Sequence, residues 1–258
     1  MYRPIRSILS GALLFFFVIC PVFMSGSNKE NYISFKSRTP LILYNSPANT
    51  VVKSAQDLIC EEAAFLYDSL RLQKLGLRKE ALEYALKGYK KLVKNEVLPN
   101  DSVLSICDFS QSSRKKRLYV IDLAHKKILI NTYVAHGKRS GKEFAWSFSN
   151  KPESYKSSLG FYITRNTYQG ANGLSLNIDG LEQGINDKAF ERRIVIHSST
   201  YVGKRWLKEN EFSGRSLGCP AVPVNELDQV IYTIKDGSCL FIYHPARSYL
   251  TRSNILNG

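Results

Sequence analysis

The sequence contains no Cys-x-x-Cys pair and no His-x-x-x-His spacing, so the usual ligand patterns of a structural metal site are absent. No metal and no organic cofactor is expected. There is no internal repeat and no low-complexity tract, and the apolar and aromatic fractions are ordinary for a globular chain. Acidic side chains are scarce, 22 against 36 basic ones, for a net charge of +14. Histidine and cysteine are also few, four and five respectively, so each can be weighed singly. A chain of 258 residues holds one domain with an appendage, or two small domains.

The one long apolar run lies at the N-terminus, over 8–24, behind Arg3 and Arg6. It is short for a bilayer span, which needs ~20 residues, and Pro21 interrupts it. With Ser25-Gly26-Ser27 offering small residues for cleavage, residues 1–27 read as a signal peptide, or alternatively as an uncleaved N-terminal anchor. Cys20 follows Ile19, too bulky for the usual lipid-attachment motif. Either reading exports the chain to the periplasm or cell envelope and limits membrane contact to the N-terminal segment. Export argues against nucleic acid as the partner of the positive charge. Anionic envelope polymers, or simply a solvated basic surface, fit it instead.

Cleavage would leave Cys60, Cys107, Cys219 and Cys239. Cys60 and Cys107 read as belonging to the helical part and as able to pair in an oxidising compartment. Cys239 lies in an apolar run and reads as a buried small hydrophobe. Cys219 stands in a polar, glycine-rich setting.

Residues 28–49 are polar, carry Pro40 and Pro47, and read as a linker. Apolar residues at helical spacing predict helices over 55–75, ended by Gly76, and over 78–94. These form a helical hairpin within 50–103 that packs on the following domain, or else a separate binding domain. From Leu104 the period falls towards two. Strands are expected over 118–123, 128–135, 160–164, 174–178, 193–198 and 238–243, the first two as a hairpin. A helix is expected over 225–235, with Asn225 as N-cap and Gly237 as stop. The fold class is therefore mostly β with an N-terminal helical hairpin, α+β overall. The main domain spans 104–246, and 247–258 is a tail.

The chemistry concentrates in 193–221. A strand delivers His197, and Ser216-Leu217-Gly218-Cys219-Pro220 delivers a thiol. A thiol needs a base or a positive field to become a nucleophile, and imidazole is the usual base. Strand alternation puts Ile194 and Ile196 on one face and Val195 and His197 on the other. Gly218 permits a tight turn that would aim the Gly218 and Cys219 N–H groups at an oxyanion. The competing reading is a core histidine and a structural cysteine.

These residues resemble the signature of the murein L,D-transpeptidase catalytic domain family: a strand histidine, a spacer, then Ser/Thr-His-Gly-Cys. Tyr133-Val134-Ala135-His136-Gly137, Phe148-Ser149-Asn150, Ser157-Ser158-Leu159-Gly160 and Gly214-Arg215-Ser216-Leu217-Gly218-Cys219-Pro220-Ala221 extend the resemblance over 55–243. It implies a β-sandwich-like fold. It also implies a peptidoglycan enzyme in which Cys219 attacks the diamino acid–D-Ala bond of a tetrapeptide stem, with His197 as base and the Ser198 carbonyl orienting the ring; a monomer is expected. The acceptor is left open: an amine of a second stem, water, or a lipoprotein lysine.

Ser216 would brace the turn. Arg215 is a candidate for a substrate carboxylate, or a solvent-facing cation. Tyr201 and Trp206 are candidates for a lid over the stem, or for loop packing, and Tyr168 is a further pocket candidate. Leu217 replaces the family's histidine. Ala221 replaces its Asn or Arg, which puts substrate contacts there in doubt. His136 reads as positioning or structural, and His125 and His244 as bland. Two other classes remain: a non-catalytic envelope-binding module that keeps the fold, and a cysteine protease. Papain-like proteases place cysteine before histidine, the reverse of this order.

Overall fold

The computed structural model describes residues 53–258 except Asn172. The expected signal peptide or anchor and the linker lie outside the described residues. Among the described residues no helix is long and apolar enough to cross a membrane.

Three helices open the described chain: α1 (Ala55–Ser69), α2 (Leu72–Leu75) and α3 (Lys79–Lys94). Ser54 caps α1 in a reciprocal box with Asp57. The single helix expected over 55–75 is broken, because Arg71 adopts a left-handed φ of 51° between α1 and α2. Gly76, at φ 87°, ends α2 as expected. The face of α3 carrying Ala81, Leu82, Ala85, Leu86 and Leu92 is buried.

Eight strands follow, β1 (Val103–Asp108), β2 (Leu118–Asp122), β3 (Lys127–Thr132), β4 (Gly160–Gly170), β5 (Gly173–Gly180), β6 (Val195–Ser199), β7 (Ala221–Pro223) and β8 (Cys239–Tyr243). They form one mixed sheet in the order β3-β2-β1-β8-β4-β5-β6-β7. The pairs β1–β8 and β6–β7 are parallel and the others antiparallel. The two edges do not stay apart. Chain leaving β3 reaches the far edge, where Ala135 bridges to Ala221 in β7. The sheet thus rolls back on itself, which gives a layered core from a single sheet.

The helices pack on that sheet through its central strands. Tyr84 of α3 stacks on Tyr243 of β8, and Phe161 of β4 stacks on Phe241 of β8 at 4.2 Å between ring centroids. Gly88 is what lets α3 lie this close. A Cβ there would fall 2.0 Å from Phe161 Cζ.

Three expectations are corrected. Asn225 does not cap a helix: Val224–Glu226 is a 3-10 turn, and α4 (Leu227–Ile234) begins after it. Residues 247–258 are not a loose tail. They form α5 (Arg247–Leu250) and α6 (Asn254–Asn257) and bury Tyr249, Ile255 and Leu256. The buried Glu182 carboxylate ties them down, accepting from Tyr249 and Ser253 as well as from the Phe161 N–H. Finally, Cys107 lies in β1 rather than in the helical part, and it and Cys60 are separate free thiols.

Gly88→Ala is therefore expected to destabilise the domain by about 1–3 kcal/mol through overpacking against Phe161, although alanine is the better helix former by ~1 kcal/mol. Thermal or urea unfolding of the two proteins checks this. A neutral or stabilising result would mean that α3 does not seat on β4 as described.

Candidate active site

Strand β6 lies between β5 and β7, with His197 opposite Ser175 on one side and Ala221 on the other. Partners in register share a face, and Tyr168 of β4 is opposite Ser175. Tyr168, Ser175 and His197 thus form one row across three strands, while Leu176, Ile194 and Ile196 belong to the core beneath. His197 is only 6% exposed. Its Nδ1 lies 2.9 Å from the Ser198 carbonyl oxygen. A carbonyl can only accept, so Nδ1 carries the proton and Nε2 presents its lone pair.

The turn over 216–219 is clamped by the blocks that precede it. The Ser216 N–H donates to the His136 carbonyl and the Lys138 N–H to the Ser216 carbonyl, at 3.0 and 2.8 Å. Ser216 Oγ donates to the Cys219 carbonyl at 2.6 Å and accepts from the Gly218 N–H at 3.0 Å. This corrects the expectation for Gly218, since its N–H is already engaged within the turn and does not face an incoming oxyanion. The Cys219 N–H donates to no backbone carbonyl among the described residues and lies against its own thiol. Gly218, at φ 134°, also packs against Gly137, whose Cβ would fall 3.0 Å from the Gly218 Cα.

The Cys219 thiol is half-buried. Sγ accepts from the Val195 N–H and donates to the Arg193 carbonyl, both at 3.5 Å. No hydrogen bond joins it to the His197 ring. The structure sets His197 on β6 and Cys219 in the turn that leads into β7, its parallel neighbour, with the thiol proton resting on β6 backbone. Burial pushes the thiol pKa up; the Val195 N–H and the Arg192 guanidinium pull it the other way.

The remaining candidates flank this pair. Tyr201 packs beneath Gly214, where a Cβ would fall 2.4 Å from its own Cβ. Burial, a Ser199 contact and the nearby Cys219 perturb its phenol, with burial raising its pKa most. Trp206 donates from Nε1 to the Phe212 carbonyl at 3.0 Å. With Arg215, Lys138 and Phe212 it lines a cavity of about 490 Å³. Arg215 is exposed and donates to the Lys138 and Gly141 carbonyls at 3.4 and 3.2 Å. On the other side, Tyr168, Phe190, Arg193 and Val195 line a cavity of about 360 Å³.

Two residues carried no signal as site residues. Ser157 bridges the turn, donating to the Gly218 carbonyl and accepting from the Gly137 N–H, both at 3.0 Å. It stood in a recognised block without an assigned role. Arg192 lies beside the turn, and nothing in its spacing distinguishes it from other surface arginines.

The sequence profile described as the L,D-transpeptidase catalytic domain matches residues 73–243, about two thirds of the chain. The chain belongs to that family. No curated protein matches it. Among solved structures it is similar to an L,D-transpeptidase from Mycobacterium smegmatis, 10% identical at a TM-score of 0.35, with 55% of this chain and 59% of that chain covered. It is also similar to the helical cell shape determining protein Pgp2 from Campylobacter jejuni, 16% identical at 0.35, with 62% and 55% covered. The chain therefore spans less than two thirds of the length of either protein.

Within this L,D-transpeptidase domain the other buried histidine is structural. His136 Nδ1 lies 2.8 Å from Nη2 of the fully buried Arg117, which also donates to the Val134 and Gln111 carbonyls. A guanidinium only donates, so Nδ1 accepts and the His136 proton is on Nε2. Burial, with Arg117 adding to it, pushes the His136 pKa from 6.5 to about 3. His136 is thus neutral in the folded chain and protonates readily only when unfolded. Its share of stability is present above about pH 6.5 and is lost as pH falls towards 3, at up to ~1.4 kcal/mol per pH unit. Urea titrations from pH 7 to 4 should therefore show a shallower acid loss in His136→Gln than in the wild type. Parallel curves would mean that His136 protonates in place.

Proposed function

We propose that this domain is a peptidoglycan L,D-transpeptidase acting by cysteine acyl transfer. The carrying observation is the His197–Ser198 hydrogen bond, which leaves Nε2 as a proton acceptor on the strand next to the thiol. His197 pairs with Ala221, two residues after Cys219, so imidazole and thiol lie at the same end of the β6–β7 pair. The S–H swings from the Arg193 carbonyl to Nε2, the proton moves to the ring, and the sulfur attacks the carbonyl of the diamino acid–D-Ala bond. The tetrahedral intermediate collapses to a thioester as the imidazolium returns the proton to departing D-Ala. The Cys219 N–H is the backbone donor free to meet the oxyanion. An amine of a second stem then takes the acyl group. Water in its place would make the protein a carboxypeptidase, and a lipoprotein lysine would make it an anchoring enzyme.

The surroundings support an acidic substrate. Among the described residues none of Lys138, Arg139, Lys156, Arg192, Arg193 and Arg215 forms an ion pair. A stem peptide brings carboxylates to this positive rim, and the rim raises its local concentration. On this reading the enzyme works in the cell envelope, where that substrate is.

The test is release of D-Ala from a tetrapeptide stem, with mass spectrometry of the products and of the protein after exposure to a carbapenem. The wild type should release D-Ala and carry the β-lactam on Cys219. Cys219→Ala should do neither, and His197→Asn should be slower by about 10²–10⁴-fold. A folded wild type that releases no D-Ala and takes no adduct would leave a non-catalytic envelope-binding module instead.

A further inference from the structure

Arg192 is a half-buried guanidinium with no carboxylate partner. Nη1 donates to the Ser149 carbonyl at 2.8 Å and to Ser158 Oγ at 3.0 Å. Nη2 donates to the Lys156 carbonyl and to Ser154 Oγ. Every acceptor is neutral, and Arg192 forms none of the ion pairs among the described residues. A charge taken out of water without a counter-charge is costly, and such an arrangement persists where function uses it.

The location shows what could use it. A Cβ on Gly218 would lie 3.2 Å from Arg192 Nη2 and 3.0 Å from the Lys156 carbonyl oxygen. The guanidinium therefore packs against the backbone immediately before Cys219, and the absence of a side chain at Gly218 makes the approach possible. From the other direction, the thiol donates to the carbonyl of Arg193, the next residue in the chain. The polar and titratable groups that act on the sulfur are the Val195 N–H, the Arg193 carbonyl, the Tyr201 phenol and Arg192 itself, with His197 on the neighbouring strand. Behind Arg192 stands Tyr162, whose hydroxyl is hydrogen-bonded to Ser158. No carboxylate is in this set, so nothing cancels the guanidinium charge at the thiol.

We propose that Arg192 is the positioning residue of this site: it ties the 149–158 segment to the 216–219 turn, and its unpaired charge stabilises the thiolate formed when Cys219 loses its proton. In that step the S–H bond breaks, an N–H bond forms at His197 Nε2, and the electron pair stays on sulfur. The proposal rests on Cys219 being the nucleophile, and it assigns Arg192 the positive field that a buried thiol needs.

The test is the pH dependence of iodoacetamide alkylation at Cys219, read peptide by peptide in the full chain, for wild type, Arg192→Met and Arg192→Lys. Arg192→Met should raise the alkylation midpoint by about one pH unit or more and lower kcat on a tetrapeptide stem with KM little changed. Arg192→Lys keeps the charge but not the planar fork, so its midpoint should stay closer to wild type than to Arg192→Met. If the methionine variant does not fold, Arg192→Gln replaces it under the same criteria. An unchanged midpoint in a folded neutral variant would overturn the proposal. So would equal shifts in the lysine and neutral variants, which would reduce Arg192 to a clamp. Alkylation needs no substrate, so failure of acyl transfer would show separately, as a wild type that alkylates normally yet takes no carbapenem.

Discussion

The site depends on the parallel pairing of β6 with a three-residue strand, β7. A strand so short has little pairing energy of its own. It is held because the other edge of the sheet comes round to it: the Ala135 N–H donates to the Ala221 carbonyl at 2.8 Å, and Ser216 is bonded in both directions to the 136–138 backbone. The turn that carries Cys219 is therefore fixed between β6 and the chain leaving β3. A side chain at Gly137 would meet the Gly218 backbone, one at Gly218 would meet Ile194, the Lys156 carbonyl and Arg192, and Ser157 bridges the two glycines through its hydroxyl.

The same packing fixes the protonation states. Two imidazoles lie in the domain interior, and opposite partners give them opposite tautomers. His197 faces a carbonyl, keeps its proton on Nδ1 and offers Nε2. His136 faces a guanidinium, offers Nδ1 to it and keeps its proton on Nε2, where no partner meets it. His136 is thereby committed to the core, although it stands before a glycine at the end of a strand-like segment much as a catalytic histidine would.

Much of the frame was legible because its signals are local. The period-two runs located six of the eight strands, missing β1 and β7, and the stripe along α3 and the Gly76 stop located the helices that cover them. The His197 strand and the Cys219 turn were legible because glycine, serine and a histidine after an apolar run are specific requirements of geometry. What was missed is non-local. Three residues, Ala221–Pro223, show no period, and they are a strand only because Ala135 and His197 flank them. The Glu182 network that folds 247–258 joins residues about seventy positions apart. The engagement of the Gly218 N–H depends on a serine rotamer, which no pattern of residue types reveals.

The two departures from the family signature follow from the same geometry. Leu217 is 58% exposed at the tip of the turn, where the chain needs only backbone, and its neighbours Ser216 and Gly218 carry the turn's hydrogen bonds. Ala221 is 0% exposed, is paired with His197 on the same face, and packs with Ala135 and Val202. A long polar side chain at 221 would have to enter that small cluster without a partner, at a cost set by its lost hydration. Position 221 is a core position in this chain. The polar side chains lie instead on the flanks of the pair, where Arg215 and Trp206 line one cavity and Tyr168 and Arg193 the other.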